Sequence, residues 1–295
     1  MPSPSRSSYQ SGLLFLAVTI VGWGLNWPTI KVLLRDWPAL FGRGSGGMVA
    51  ALLLGLVAAS RGERLALPGR SIGRLAAAAF TNVFAWMGFV TVAMQWMPVA
   101  DVALLAYTMP LWVCLLEWPF RGVRPTGRRI AALALGFGGV VVLLGTETGG
   151  THGPTWMLGA ALALSSAILF AAGTLLLRPI PDISPLVSTT WQVGLACTPM
   201  ALIGLVTEYD RIGPLTPGGT MAFLYMVLLP MGACYVTWFA ALKRLPAGTA
   251  AIGMLLVPIV GIVSAILLLG EPLGPREVVA ILLTMSGVAL AIHRD

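Results

Sequence analysis

Amide and indole side chains recur at helical spacing inside long apolar stretches of this chain. Trp23, Asn26 and Trp27 follow one another at i, i+3 and i+4, and Asn82 and Trp86 repeat the i, i+4 spacing. Residues three or four apart share one face of an α-helix. An amide surrounded by hydrocarbon lacks hydrogen-bond partners, so both faces are expected to point into the protein. There they either hold helices together or line a polar cavity.

The other candidates for such a cavity are aromatic and hydroxyl residues at comparable depth in the apolar stretches: Tyr107, Phe170, Thr174, Tyr235 and Trp238. Aromatic faces attract an ammonium group, and amides and backbone carbonyls can meet the remaining polar atoms of a small solute. No pair of acidic residues lies at mid-depth in one half of the chain. The expected small-molecule substrate is therefore neutral or zwitterionic.

Asp101 is the acidic residue with two interpretations. It follows Pro98 by three residues at the start of an apolar stretch. A carboxylate in a first helical turn is favoured by the helix dipole, and the alternative is a group that binds a coupling proton. The histidines, His152 and His293, lie outside the apolar stretches, and neither H-E-x-x-H nor G-x-S-x-G occurs. We therefore expect no metal, no cofactor and no enzymatic activity.

Two segments with paired prolines indicate where helices are interrupted. MPVADVALLAYTMP holds Pro98 and Pro110, and LPAGTAAIGMLLVP holds Pro246 and Pro258, displaced by 148 residues. Proline within a helix removes one backbone hydrogen bond and clashes with the carbonyl four residues earlier. Pro110 and Pro258 are therefore candidate hinges, and the alternative is a pair of packing kinks.

Composition places these residues in membrane-spanning helices. Of 295 residues, 57% are hydrophobic and 10% are charged, whereas soluble domains have roughly 25% charged residues. About 20 apolar residues cross the hydrocarbon of a bilayer. Ten such stretches occur, at about 11–33, 38–59, 72–94, 98–118, 127–145, 156–177, 185–206, 219–242, 247–269 and 275–292. The sequence predicts an all-α integral membrane protein with ten transmembrane helices.

The net charge of +7 reports orientation in the membrane. Of the 18 Lys and Arg residues, only Lys31, Arg35, Arg43, Arg211 and Arg276 fall in segments on the side opposite the N-terminus. Basic residues accumulate on the cytoplasmic side. The prediction is a bacterial-type inner membrane protein with both termini in the cytoplasm and the lipid bilayer, not nucleic acid, as its partner.

Tryptophans and glycines near the predicted helix ends have structural interpretations. Four tryptophans at those ends are typical of an interfacial belt: Trp37, Trp96, Trp118 and Trp156. The segment GRGSGG at 42–47 contains a G-x-x-x-G step and lacks the lysine and hydroxyl of a phosphate-binding loop, which favours close helix packing.

The chain aligns with itself at an offset of 148 residues. Arg128 meets Arg276 and Gly139 meets Gly287, and an offset of 147 pairs Lys31 with Arg178 earlier in each half. Residues 1–148 and 149–295 are thus predicted modules of five helices each. Five crossings end on the side opposite to the start, so the second module is expected to be inverted. In such repeats the binding site lies near the midplane, between the halves.

The segments GEPLGPREVVAILLTMSGVALAI (270–292) and WGLNWPTIK (23–31) resemble the EamA-type modules of the drug/metabolite transporter superfamily. The resemblance implies an exporter of small metabolites, above all amino acids, that works by alternating access. It also implies that the site is surrounded by helices one, three, four, six, eight and nine. A proton is the candidate coupling ion. Export of nucleosides or quaternary amines, a channel and a membrane scaffold are the alternatives.

Overall fold

The computed structural model describes residues 6–67, 69–124, 126–144, 153–177, 180 and 183–292. The predicted module boundary at 148/149 and both histidines lie outside these ranges. The described residues form ten helical rods: α1 (Arg6–Leu33), α2 (Ala39–Ser60), α3 (Ile72–Ala93), α4 (Val99–Arg121), α5 (Gly127–Leu144), α6 (Pro154–Leu176), α7 (Pro185–Thr207), α8 (Pro217–Leu242), α9 (Ala247–Met254 and Leu256–Leu269) and α10 (Pro275–Ile292).

The helices match the predicted membrane spans. In the described ranges, α1 to α8 are each long and apolar enough to cross a bilayer, and the two segments of α9 together with α10 account for the last two apolar stretches. Large apolar side chains such as Leu52, Val141, Val206 and Leu267 are more than two-thirds exposed. Such a surface is stable only against lipid or another protein. The prediction of an all-helical, ten-helix membrane protein is confirmed.

Helices at equivalent positions of the two halves pack against each other in antiparallel pairs. Gly44 of α2 lies against the backbone of Ala201 in α7, and Phe41, three residues earlier, lies against Gly204, three residues later. In the second pair, α5 and α10, Gly139 approaches Ala280. Glycine permits this close approach because it has no Cβ. The glycine-rich start of α2 is a helix contact, as predicted.

Acidic residues connect the pair α2 and α7 in a reciprocal way. Glu208, which follows α7, accepts hydrogen bonds from Leu40 N (3.1 Å) and Phe41 N (3.0 Å) at the start of α2. Glu63, which follows α2, accepts one from the hydroxyl of Ser184, the N-cap of α7. The first N–H groups of a helix have no partner within it. The start of α2 is therefore bonded to a residue that follows α7, and the start of α7 is bonded to a residue that follows α2.

Four helices are irregular at matching positions. α4 is interrupted between its segments Val99–Ala106 and Met109–Arg121, and α9 is interrupted at Leu255, which aligns with Tyr107 at the offset of 148. Each interruption lies three residues before the proline predicted as a hinge, because the proline ring excludes the preceding turn from regular geometry. α3 is π-helical over Ala79–Phe89 and α8 over Leu229–Ala233.

The first segment of α4 forms the centre of the bundle. Every residue of Val99–Ala106 is buried, and the segment packs against α1, α6, α9 and α10. Apart from Asp101 the segment is apolar on all sides, and such a helix is stable only when it is surrounded. The interruption of α4 therefore lies inside the protein, where side chains of neighbouring helices meet it.

Candidate functional site

A group of rings joins α1 to α8. The indole of Trp23 lies 5.7 Å from the ring of Tyr235 and 6.0 Å from that of Trp238, measured between centroids. Its Nε1 donates a hydrogen bond of 2.8 Å to the carbonyl of Pro230, inside the π-helical part of α8. The irregular turn of α8 is thus stabilised by an indole from the other half of the chain.

A second group of rings joins α1, α3, α4 and α6. Tyr107, at the interruption of α4, lies 6.0 Å from Trp27 and 5.9 Å from Trp86. Trp86 lies 5.3 Å from Phe170. Trp27 is one helical turn from Trp23, so the two groups are neighbours along α1. We call Trp23, Trp27, Trp86, Tyr107, Phe170, Tyr235 and Trp238 the aromatic cluster.

The aromatic cluster coincides with the helix irregularities. Trp86 lies within the π-helical part of α3, Tyr107 lies at the interruption of α4, and Tyr235 lies two residues after the π-helical part of α8. π-Helical turns occur frequently at functional sites. The sequence identified six of the seven rings as site candidates from their helical spacing or, for Tyr107, from its position three residues before Pro110. Trp27 shares a helix face with Trp23.

The two amides differ in their surroundings. Asn26 is 9% exposed, and its Oδ1 has no hydrogen-bond partner among the described residues. Asn82 accepts a hydrogen bond of 3.3 Å from Thr81, and both residues pack where Gly173 of α6 has no side chain. The position of Asn82 therefore favours the helix-contact interpretation, whereas Asn26 retains an acceptor for a ligand.

Thr174 makes its hydrogen bond within its own helix. Its side chain is exposed, and its hydroxyl donates to the carbonyl of Phe170 in the same helix at 2.9 Å. A hydroxyl that bonds the carbonyl four residues earlier has its hydrogen-bonding donor already occupied. Among the predicted substrate contacts, Thr174 has the least support from the geometry.

Asp101 lies in the first turn of α4 and is 6% exposed. Its Oδ2 accepts a hydrogen bond of 3.2 Å from Nε1 of Trp156, and its Oδ1 has no hydrogen-bond partner within the described part of the chain. The prediction that Trp156 belongs to an interfacial belt is wrong, because Trp156 is only 8% exposed and directs its N–H at this carboxylate. A helix end can be buried when neighbouring helices extend past it.

An open cleft of about 500 Å³ lies at the same end of the molecule. We call it the vestibule; its charged and amide residues are Lys31, Arg35, Gln95, Arg211 and Glu271. Glu271 accepts a hydrogen bond of 2.7 Å from Val99 N, at the start of α4, and lies 3.5 Å from Nζ of Lys31. One carboxylate thus connects α1, α4 and the segment after α9. The vestibule carries more positive than negative charge.

Arg43 is the residue that the sequence interpretation misplaced. It was assigned to a segment outside the membrane, but it lies in α2 and is 6% exposed. It lines a small cavity with Ile30, Thr91 and Met226. Its Nε and Nη1 have no hydrogen-bond partner in the described ranges. An ionisable residue inside an apolar stretch is a functional candidate by default, so its position within 38–59 was the available signal.

No group of three or more His, Cys, Asp or Glu side chains in the described ranges could hold a metal ion. The three cysteines, Cys114, Cys197 and Cys234, are buried and free. The groups that the described geometry brings together are aromatic faces, an amide, a carboxylate and a guanidinium.

Comparison of the sequence with known proteins identifies a family of membrane transporters. The model of the EamA-like transporter family matches twice, at residues 10–145 and 157–292. The chain is 29% identical to a probable amino-acid metabolite efflux pump of Escherichia coli, over 97% of this chain and 95% of that protein. It is 25% identical to an aromatic amino acid exporter, YddG, of Ancylobacter novellus, over 55% and 56% of the two chains.

A solved crystal structure supports the fold. It superposes with a TM-score of 0.64 at 20% identity and covers 96% of each chain. At this identity the likeness concerns the arrangement of helices. The family model and the ten-helix bundle together assign the chain: it is a multi-pass membrane protein of the EamA-like transporter family, within the drug/metabolite transporter superfamily.

Proposed function

We propose that this protein exports amino acids with neutral, above all aromatic, side chains across a bacterial-type inner membrane by alternating access. The observation that carries the proposal is the aromatic cluster, which brings α1 and α6 together with the irregular turns of α3, α4 and α8. Ring faces bind an aromatic side chain by stacking and an ammonium group through cation–π attraction. Asn26 supplies an unoccupied acceptor for that ammonium group.

The names of relatives support the substrate class. One relative is named a probable amino-acid metabolite efflux pump and another an aromatic amino acid exporter. Export of nucleosides or quaternary amines would use the same ring faces, and a panel of solutes distinguishes these substrates. A membrane scaffold would need none of these buried polar groups, and a channel would not need a closed site between helix interruptions.

The matched irregularities support the transport cycle. In this proposal residues 1–148 and 149–295 are inverted modules, which the antiparallel pairs α2/α7 and α5/α10 support, and both termini are cytoplasmic. Pro110 and Pro258 act as hinges at which α4 and α9 bend. Because the two interruptions are equivalent, bending one opens the vestibule end and bending the other opens the opposite end.

Asp101 binds the coupling proton in this proposal. Its carboxylate is buried beside the start of α4, one oxygen bonds the Trp156 indole, and the other has no described partner. The charged groups that face it are Glu271, Arg276 and Glu277. Protonation would remove a buried negative charge next to the Lys31–Glu271 pair, and this pair connects the helices that enclose the vestibule.

Counterflow in proteoliposomes tests the proposal. Vesicles containing the purified protein are loaded with unlabelled L-phenylalanine and diluted into labelled L-phenylalanine, with and without a pH gradient. A carrier accumulates label transiently and saturably, and a panel of amino acids, nucleosides and quaternary amines then gives the substrate class. Flux that does not saturate would indicate a channel, and absence of flux for every solute would indicate a scaffold.

A further inference from the structure

Arg43 is a buried cation with no described counter-ion. The side chain is 6% exposed inside α2, and two of its guanidinium nitrogens have no hydrogen-bond partner among the described residues. Burial of an unpaired charge in apolar surroundings costs far more than burial of a neutral group. A guanidinium remains protonated because its intrinsic pKa is so high. A ligand with a negative charge would therefore be bound strongly at this position.

The carboxylates at this end of the molecule have other partners. Asp36 accepts hydrogen bonds from the backbone N–H and the hydroxyl of Thr216, at 2.8 and 2.6 Å. Glu208 accepts two backbone N–H groups at the start of α2. The described titratable neighbours of Arg43 are the thiol of Cys197 and the phenol of Tyr235, neither of which is an anion at neutral pH.

Arg43 lies between the vestibule and the aromatic cluster. The wall of its cavity includes Leu34, which also lines the vestibule. On the other side its neighbour Tyr235 packs against Trp23. A solute that places its aromatic group on Trp23 would therefore have the guanidinium of Arg43 on its vestibule side. An aromatic amino acid carries both a ring and a carboxylate.

We propose that Arg43 binds the carboxylate of the transported solute, so that the substrate must be a carboxylic acid. This inference rests on the proposed function and narrows it: amines and amides without a carboxylate are excluded. A planar guanidinium forms two parallel hydrogen bonds to a carboxylate. The cavity at Arg43 is small in this conformation, so the carboxylate reaches Arg43 in a state in which this cavity widens toward the vestibule.

Competition on the unmodified protein is the first test and needs no variant. L-Phenylalanine and L-phenylalaninamide have the same ring and ammonium group, and only the former has a carboxylate. We expect the amide to compete about 10- to 100-fold less well in counterflow, the range expected from one charge-assisted hydrogen-bond pair. Equal competition by the amide would overturn the proposal. Absence of phenylalanine counterflow would instead contradict the proposed function itself.

Variants of Arg43 then test whether this residue is responsible for the preference for phenylalanine over its amide. Arg43→Gln should lose the preference for phenylalanine over its amide, and Arg43→Lys should keep part of it because the charge remains while the planar fork is lost. Arg74→Gln, at an exposed position near the start of α3, is the matched control and should keep the wild-type preference. Folding is followed by size-exclusion chromatography in detergent. A folded Arg43→Gln or Arg43→Lys protein with the full wild-type preference would assign the discrimination elsewhere.

Discussion

Gly139 and Gly287 occupy equivalent places in one antiparallel helix contact. Gly139 of α5 lies against the carbonyl of Ala280, and Gly287 of α10 lies against the carbonyl of Ala132. At the offset of 148, Ala132 aligns with Ala280 and Gly139 with Gly287. Each glycine therefore repeats the role of the other in this contact. The contact connects the last helices of the two halves.

This contact predicts that alanine at Gly139 and alanine at Gly287 lower the stability of the protein by similar amounts. A Cβ at Gly139 would overlap the carbonyl of Ala280, and one at Gly287 would overlap that of Ala132. We expect Gly139→Ala and Gly287→Ala each to lower the free energy of unfolding by about 1–3 kcal/mol, the usual effect of overpacking. Thermal unfolding in detergent measures this. Gly138→Ala is the control, since a Cβ there meets nothing within 4 Å, and an equal loss in the control would contradict the explanation.

The aromatic cluster predicts a strong dependence of transport on Trp86. Trp86 contacts both Tyr107 and Phe170. We expect Trp86→Ala to reduce phenylalanine counterflow about tenfold or more and Trp86→Phe to retain most of it, because a ring face remains for stacking. Trp118→Ala removes an indole that is 54% exposed and should have little effect. Unchanged transport by folded Trp86→Ala would show that the cluster is structural only.

If Asp101 binds the coupling proton, its replacement should change how transport responds to a proton gradient. In Asp101→Asn the amide oxygen can still accept the hydrogen bond from Trp156, but the side chain can no longer bind and release a proton. We expect counterflow without a gradient to persist while gradient-driven accumulation is lost. Glu117→Gln, which alters a carboxylate paired with Arg129 at 2.8 Å, should keep gradient-driven accumulation. Full accumulation by Asp101→Asn would place proton coupling at another group.

If Pro110 and Pro258 are hinges, their replacement should change the rate of transport and leave the affinity for substrate nearly unchanged. Alanine restores a backbone N–H, which can donate to the carbonyl four residues earlier and straighten the helix. We therefore expect Pro110→Ala and Pro258→Ala to slow counterflow severalfold, while phenylalanine binding, followed by tryptophan fluorescence, changes little. The same slowing in both variants is expected because the interruptions are equivalent. Wild-type rates in both would assign the prolines to packing.

Labelling of single cysteines tests the orientation in the membrane. Arg64 lies in the segment between α2 and α3, Asp210 lies between α7 and α8, and both are exposed. A membrane-impermeant maleimide should label Asp210→Cys in intact cells and Arg64→Cys only after permeabilisation. The native cysteines are buried, so background labelling should be low. The reverse pattern would place both termini outside.

Local properties of the sequence determined the elements and most of the aromatic cluster. Hydropathy and helix periodicity depend on residues close together in the chain, so the ten helices and the inward faces of Trp23 and Trp86 were predictable. The proline pairs located the interruptions of α4 and α9 to within one turn, because the loss of one N–H acts on the preceding turn only.

Contacts across the chain were decided by the tertiary structure alone. Glu271 bonds Val99 N across 172 residues, and Trp156 reaches Asp101 from another helix, so neither partner is visible in the local pattern. Arg43 has the sequence neighbours of a helix end, and only the helices packed around α2 bury it without a described counter-ion. Burial depends on which surfaces meet, and that information is distributed over the whole chain rather than held at any one position.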